Sequence, residues 1–230
     1  MKEMSVFDVI GPNMIGPSSS HTAGALRIAR LARSLVEGEV ARVRFLLYGS
    51  FAKTSRGHGT DRALVAGVLG FDTEDPRIRD SFEWARKAGL AYSFGFGDET
   101  LEPHPNTVEV VLTTAAGDTT RVTGVSVGGG RVLLTKIDGV EIRLSGEYHT
   151  LFIHQKDTPG VVAHIASSLA QYQINIAFMR LYRESKGEKM CIRDRYTYIT
   201  AFNFFKFNKA AAVGVIGLLL VGVFAVLYII

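Results

Sequence analysis

The chain has 230 residues, of which 47% are hydrophobic and 21% are charged, an ordinary composition for a globular protein. Its formal net charge of +4 comes largely from the part after Met190, which holds four basic residues and one acidic residue and leaves 22 basic and 21 acidic side chains in residues 1–190. Such a balanced body lacks the basic surface that binds a phosphate backbone, which argues against nucleic acid as a partner. Cys191 is the only cysteine, so residues 1–190 contain no thiolate for a zinc site or an iron–sulfur cluster.

Residues 1–147 alternate helical and strand patterns. Residues 23–35 carry apolar side chains at spacings of three and four, which is typical of an amphipathic helix. Residues 42–48 alternate apolar side chains with arginines, which predicts a half-buried strand. The same kinds of pattern predict helices over 61–69 and 76–88, the second with Asp75 as its cap, and strands at 108–112, within 122–134 and at 141–144.

Residues 148–190 show a shorter pattern of strand, helix and strand. The turn Asp157-Thr158-Pro159-Gly160 leads into the helix, and its backbone N–H groups suit the capture of a free amino acid. A third strand only begins before residue 190, whereas a ferredoxin-like sandwich needs a further helix and strand. We therefore expect a truncated domain of marginal stability.

The segment 210–230 has 21 residues and no charge. As a helix it would be about 31 Å long, enough to cross the hydrocarbon core of a bilayer, although a buried core helix is the alternative. It lies where the smaller domain should continue, so we predict that residues 191–230 are a foreign tail and that the protein meets a membrane only through 210–230. The first nine residues lack an apolar secretion signal, which predicts a cytoplasmic location for the body.

The densest polar segment lies immediately before the first amphipathic helix. Hydroxyl groups at a helix start cap backbone N–H groups, and the remaining N–H groups there attract anions such as the carboxylate of an amino acid. A histidine adds a group that moves protons near neutral pH. The alternative is a well-capped helix with a surface histidine. The residues concerned are Ser18, Ser19, Ser20, His21 and Thr22.

A second segment follows the strand at 42–48 and contains His58 between Gly57 and Gly59. Glycines on both sides let the backbone approach a ligand closely and should leave the imidazole unobstructed. Thr60 or Asp61 is expected to cap the next helix.

Two further turns carry polar groups. His104 and Asn106 flank Pro105 before a strand, and both are placed to reach a polar substrate, although turn chemistry explains them about as well. Ser126 precedes the glycines 128–130, which indicate a bulge or a close approach of the backbone to a ligand.

Taken together, these segments resemble the β chain of the iron–sulfur-dependent bacterial L-serine dehydratases. Residues from 148 onward are similar to the start of an ACT domain, an amino-acid-sensing module, and residues 196–230 resemble the last membrane helix of a sugar ABC-transporter permease. The resemblance implies an α+β fold, in which a mixed α/β sheet domain (1–147) precedes a truncated ferredoxin-like ACT domain (148–190) and a tail with a transmembrane-like helix. The shared segments are Ser5–Asp8, Gly16–Thr22, Tyr48–Ser50, Gly57–Asp61, His104–Asn106 and Gly128–Gly130.

The resemblance implies the conversion of L-serine to pyruvate and ammonia by an L-serine ammonia-lyase that is active only with its α subunit. A four-iron–four-sulfur cluster would be held by cysteines of that separate α chain, with no metal ligand in this one. The family's motif histidines correspond to His21 and His58, and its polar turn to His104 and Asn106. We assign the 18–22 turn to the substrate carboxylate and one of the two histidines to proton transfer; the choice between them is open, and the α chain is a further possible source of the base.

The main alternative is a regulatory module. In that interpretation the chain senses serine through Gly160 and Asn175 of the ACT-like region, and all chemistry belongs to the partner chain.

Overall fold

The structure is a computed structural model that describes residues 12–98, 102, 104–147, 149–156, 158–183 and 189–196. The chain divides into two compact units, Met1–Glu147 and Tyr148–Ile230. The assignment of these units to particular domain families stays a prediction at this point.

A six-stranded mixed sheet forms the frame of the first unit, in the order β2-β1-β3-β4-β5-β6. The pair β1 and β2 is parallel, and all other neighbouring strands are antiparallel. This is the mixed α/β sheet of the predicted α+β fold. The strands are β1 (Val40–Leu47), β2 (Ala91–Phe96), β3 (Thr107–Thr114), β4 (Thr119–Gly128), β5 (Arg131–Ile137) and β6 (Val140–Leu144).

One face of this sheet is the wall of the core. In β1, Phe45 is fully buried and the neighbouring Arg44 is exposed, as the alternating sequence predicted. Phe45 stands opposite Val110 of β3, which is also fully buried, so the pairing register places the apolar side chains of both strands on one face.

Helices pack against that face. Helix α1 contacts β3, β4 and β5, and it crosses α3 so closely that a Cβ atom on Gly67 would lie 2.3 Å from the carbonyl oxygen of Leu26. Only glycine permits this approach of two backbones. The helical elements are a π-helical turn (Ser19–Gly24), α1 (Ala25–Ser34), α2 (Gly49–Thr54), α3 (Thr60–Val68), a 3₁₀ turn (Pro76–Asp80) and α4 (Ser81–Lys87).

The helix predicted over 76–88 begins as expected, because the Asp75 carboxylate accepts a hydrogen bond from the backbone N–H of Arg77 at 2.9 Å. The predicted cap of α3 is wrong. Its N-cap residue is Gly59, at φ +66°, and no side chain caps it. The side chain of Thr60 is buried instead, and the Asp61 carboxylate accepts from the N–H of Arg62.

Two elements of the first unit lack a counterpart in the sequence prediction. Strand β2 follows α4 without a clear alternation of polar and apolar residues, because it lies at the edge of the sheet. The six-residue helix α2 lies in a polar segment that carries no helical periodicity.

The second unit contains β7 (His149–Lys156), α5 (Val161–Gln171), β8 (Phe178–Arg183) and β9 (Lys189–Tyr196). The strand order is β7-β9-β8, and β9 is antiparallel to both neighbours, so β7 and β8 are parallel with β9 between them. This is the split β-α-β arrangement of ferredoxin-like folds. The predicted border after residue 190 falls inside β9, and the foreign origin of the residues beyond it stays a prediction.

Within the described ranges, no helix has both the length and the apolar character that a membrane crossing requires. The segment 210–230, which was predicted to insert in a membrane, lies outside those ranges.

Candidate active site

The polar segment before α1 forms a π-helical turn, Ser19–Gly24, that runs directly into the helix. Ser18 precedes the turn, and its Oγ accepts a hydrogen bond from the backbone N–H of His21 at 3.1 Å. The N–H of Thr22 donates to the carbonyl oxygen of Ser18 at 2.9 Å. π-helical turns are rare in proteins overall, and many of those that occur lie at functional sites. Ser19 and Ser20 lie half-buried on the same turn.

The imidazole of His21 is held by its surroundings. Its Nε2 lies 2.9 Å from Oγ of Ser50, and its Nδ1 lies 3.4 Å from Oγ of Ser18. The ring of Phe51 meets it edge-on, with 5.3 Å between the ring centroids. The sequence indicated His21 but not these two partners from α2.

The structure brings the two predicted histidines together. The ring centroids of His21 and His58 are 4.9 Å apart, and the ring planes are inclined by 40°. The hydroxyl of Thr22 donates to the carbonyl oxygen of His58 at 2.9 Å, which ties the π-helical turn to the segment before α3. Two segments that are distant in sequence therefore form one polar cluster.

Burial lowers the pKa of His21 below its ordinary value, and the neighbouring His58 lowers that pKa further because two imidazolium ions would repel each other. The ordinary pKa of histidine is about 6.5. His21 is therefore neutral at pH 7, the form in which an imidazole accepts a proton.

The surroundings of His58 differ in part from the expectation. Its Nδ1 is buried and has no hydrogen-bond partner among the described residues, so the prediction of an unobstructed imidazole is wrong for this ring nitrogen. The residue also lines a cavity of about 180 Å³ together with Thr22, Arg62 and Arg79. No acidic side chain belongs to the described lining of this cavity, which suits a small molecule with a carboxylate. His21 contacts His58 without lining the cavity.

The turn at 104–107 packs against the start of α2. The carbonyl oxygen of Pro105 accepts a hydrogen bond from the backbone N–H of Ser50 at 2.7 Å. Within the turn, the N–H of Asn106 donates to Nδ1 of His104 at 3.2 Å, and the hydroxyl of Thr107 donates to the carbonyl oxygen of His104 at 2.6 Å. One ring nitrogen of His104 thus stabilises the turn.

His104 lines a different cavity, of about 420 Å³, with Glu102, Lys136 and Arg143 among its neighbours. Neither His104 nor Asn106 lines the cavity of His58. Their predicted contact with the substrate is therefore not part of this geometry, and their connection to the histidines runs through Ser50.

The triple-glycine segment joins the same cluster through Ser126. The N–H of Ser126 donates to the carbonyl oxygen of Asn106 at 3.0 Å. A Cβ atom on Gly24 would lie 2.2 Å from Oγ of Ser126, so the π-helical turn and β4 can touch only because residue 24 is glycine. The sequence signals that bear on Ser50 and Ser126 are the nearby glycines, Gly49 next to Ser50 and Gly128 two residues after Ser126, both at positive φ.

The two residues predicted to bind an effector lie in the second unit. Gly160 precedes α5 at φ +89°, and the N–H of His164 donates to its carbonyl oxygen at 2.9 Å. Asn175 is exposed in the connection between α5 and β8.

Within the part of the chain that the structure describes, no group of three or more histidine, cysteine, aspartate or glutamate side chains is arranged to hold a metal ion. The single cysteine, Cys191, lies on β9. This donor set does not fit an iron–sulfur cluster, which is held by several cysteine thiolates.

Comparison with known proteins gives a consistent result. Residues 5–90 match the family model described as serine dehydratase beta chain. The chain is 44% identical over 188 residues to the probable L-serine dehydratase beta chain of Bacillus subtilis (strain 168), which covers 82% of this chain and 84% of that one. It is 46% identical over 176 residues to the L-serine dehydratase beta chain of Peptoniphilus asaccharolyticus, covering 76% and 79% of the two chains.

A longer relative matches only in part. The L-serine dehydratase of Streptomyces coelicolor is 48% identical over 82 residues, which are 34% of this chain and 17% of that protein. The matches to the two beta chains cover most of this chain and most of each relative, and they confirm the family that the sequence motifs indicated. The chain belongs to the serine dehydratase beta chain family.

Proposed function

We propose that this chain is the β subunit of an L-serine dehydratase and that it converts L-serine to pyruvate and ammonia together with a separate α chain. The relatives that match over most of their length are named as beta chains of that enzyme. The observation that carries the proposal is the contact of His21 with His58, a residue that lines a cavity with no acidic side chain in its described lining.

The difficult step of the reaction is removal of the α-proton of serine, which is poorly acidic. It requires a positioned base and stabilisation of charge at the carboxylate. Arg62 and Arg79 in the cavity wall supply positive charge, and Thr22 also lines the cavity. Ser18, Ser19 and Ser20 precede Thr22 in the chain and are outside the described lining. We assign carboxylate binding to this region, with Ser18, Ser19, Ser20 and Thr22 as the hydroxyl groups.

A ring nitrogen of His58 or His21 then accepts the α-proton. Loss of the β-hydroxyl group as water leaves an enamine, which tautomerises to the imine and is hydrolysed to pyruvate and ammonia. His58 lines the cavity, and the lowered pKa of His21 favours the neutral imidazole, the form that can accept a proton. His104 and Asn106 support this arrangement through Ser50.

We propose that a four-iron–four-sulfur cluster, which the family resemblance implies, is held by the α chain. The donor set of this chain supports that division, because a single cysteine cannot replace a set of thiolates.

Reconstitution tests the proposal. The α chain, loaded with its cluster, is assayed for pyruvate formation from L-serine with and without this chain. We expect turnover only when both chains are present. An α chain that forms pyruvate at the same rate alone would contradict the proposed catalytic role.

A regulatory function is the second candidate, and the split β-α-β topology of the second unit, with Gly160 at the start of α5, favours it. We propose that this unit is an ACT-type module. In the reconstituted enzyme, Asn175→Ala and Gly160→Ala should change the dependence of the rate on serine concentration and leave kcat unchanged, whereas His58→Ala should lower kcat. The opposite pattern, with normal kcat in His58→Ala, would favour sensing as the sole function.

We further propose that the body of the protein is cytoplasmic and that residues 191–230 are a foreign tail, in which 196–230 are a permease fragment that would insert through 210–230. Sequencing the genomic locus across the codon for Met190 tests the fusion. An uninterrupted and reproducible locus would contradict it.

A further inference from the structure

We infer that Ser50 is a positioning residue that holds the imidazole of His21 in one orientation, and that it couples the 104–107 turn to the histidine pair. The inference rests on the proposed role of His21 and His58 in proton transfer.

Ser50 makes the shorter of the two serine contacts to the imidazole of His21. Oγ of Ser50 lies 2.9 Å from Nε2 of His21, whereas Oγ of Ser18 lies 3.4 Å from Nδ1 and already accepts from the backbone N–H of His21. The Ser50 contact is therefore the stronger restraint on the ring. A serine hydroxyl can donate to a ring nitrogen or accept from it, so this contact fixes the orientation of the ring in either tautomer.

The backbone of Ser50 is held by one hydrogen bond to the 104–107 turn and by another within its own helix. Its N–H donates to the carbonyl oxygen of Pro105 at 2.7 Å, and the hydroxyl of Thr54 donates to its carbonyl oxygen at 2.8 Å. Gly49 has φ +53°, and a Cβ atom there would lie 2.6 Å from the carbonyl oxygen of Pro105. The close approach of the two segments thus requires a glycine beside Ser50.

A serine at position 50 adds no charge beside the imidazole of His21. The titratable neighbour that acts on His21 is His58, while Lys53, on the same helix as Ser50, is exposed. A serine hydroxyl orients an imidazole without adding the negative charge of a carboxylate, which would raise the pKa of the imidazole. Ser50 therefore fixes the ring and leaves it neutral at pH 7.

Nitrogen-15 NMR of the histidine side chains in the full chain tests this inference without any catalytic readout. We expect the Nε2 signal of His21 to shift in Ser50→Ala, because the hydrogen bond to that nitrogen is lost. Ser50→Thr, which keeps the hydroxyl, should retain the signal of the unmodified chain. Ser34→Ala removes an exposed hydroxyl that bonds only within α1, and it should leave the His21 signals unchanged.

Kinetics of the reconstituted enzyme supply the second readout. Ser50→Ala should lower kcat about 10- to 100-fold, the usual effect of losing an orienting partner, with little change in KM. In a double-mutant cycle, Ser50→Ala should cost little more once His21 is alanine, because the two residues act as a unit.

A variant that removes no polar group tests the coupling to the turn. Gly49→Ala should push Ser50 away from Pro105 and thereby shift the Nε2 signal of His21. Gly38→Ala is the matched control, because Gly38 also has positive φ and no atom within 4 Å of an added Cβ.

The outcomes separate the two proposals. An unchanged Nε2 signal of His21 in both Ser50→Ala and Gly49→Ala would overturn the inference about Ser50. A shifted signal combined with normal turnover of His21→Ala would instead overturn the proposed catalytic role of His21, and with it the catalytic significance of Ser50.

Discussion

The two units of this chain use similar local patterns and reach very different degrees of burial. Helix α1 buries five residues against a six-stranded sheet, whereas α5, whose sequence is also rich in apolar residues, buries none of its described residues. In the second unit Leu151 and Leu181 remain 45% and 48% exposed. The described part of the second unit, a three-stranded sheet with one helix, offers too little surface to cover its own apolar side chains. Burial is therefore decided by how many elements meet, and periodicity in one helix does not reveal it.

The largest predicted effect is a loss of stability that differs between the two units. Leu64→Ala in α3 removes a fully buried side chain, and it should lower the free energy of unfolding of the first unit by about 2–5 kcal/mol. Leu169→Ala in α5 removes a half-buried side chain and should cost about 1 kcal/mol or less. Urea unfolding followed by fluorescence of Trp84, the only tryptophan, measures the first unit, and hydrogen exchange measures the second. Equal losses in the free energy of unfolding in both units would contradict the described difference in burial.

The next effect tests the contact between α1 and α3. Replacing a helical glycine with alanine normally stabilises a helix by about 1 kcal/mol. At Gly67 the new Cβ would lie 2.3 Å from a backbone oxygen of α1, so we expect Gly67→Ala to destabilise the first unit by about 1–3 kcal/mol.

Gly57→Ala is the control for that change, because the nearest atom to its added Cβ is 3.8 Å away. Thermal unfolding of the two variants should show a clear loss only for Gly67→Ala. A gain in stability at Gly67 would mean that the helices do not approach as closely as described.

A smaller effect is expected from pH. The native pKa of His21 lies below its value in the unfolded chain, so the unfolded state binds more protons as the pH falls through about 6.5. Stability of the first unit should therefore decrease from pH 7.5 to pH 5.5, and His21→Gln should show a weaker decrease. Urea midpoints at both pH values provide the measurement. The lowered pKa of Asp72 acts in a separate window, below about pH 4.

The smallest predicted effect concerns the surface ion pair between Arg30 and Asp72, whose charged atoms are 2.9 Å apart. Both side chains are largely exposed, so Asp72→Asn should change the free energy of unfolding by about 1 kcal/mol or less, and added salt should reduce the difference. A larger loss at high salt would show that the pair is more than a surface contact.

Local patterns in the sequence predicted most of the elements of the first unit. Alternation in β1 assigned its buried face, and Asp75 marked the start of the 76–88 helix, because both signals act within a few residues. Edge strand β2 and the short helix α2 left no such signal, since they are determined by their partners.

The candidate site was predictable in its residue types and only partly in its geometry. Glycines and hydroxyls beside His21 and His58 indicated chemistry, and the two rings do lie together. The intermediary Ser50 and the separate cavity of His104 were not predictable, because they depend on how distant segments pack.

The proposed function depends most on the paired rings of His21 and His58. The rate of pyruvate formation at saturating L-serine is the direct test of their role. We compare the reconstituted enzyme carrying His21→Ala or His58→Ala with one carrying His164→Ala, a change at an exposed histidine of the second unit. Loss of general-base catalysis should lower kcat about 100-fold or more in at least one of the first two variants and leave the third unchanged. Normal turnover of both cluster variants would contradict the account.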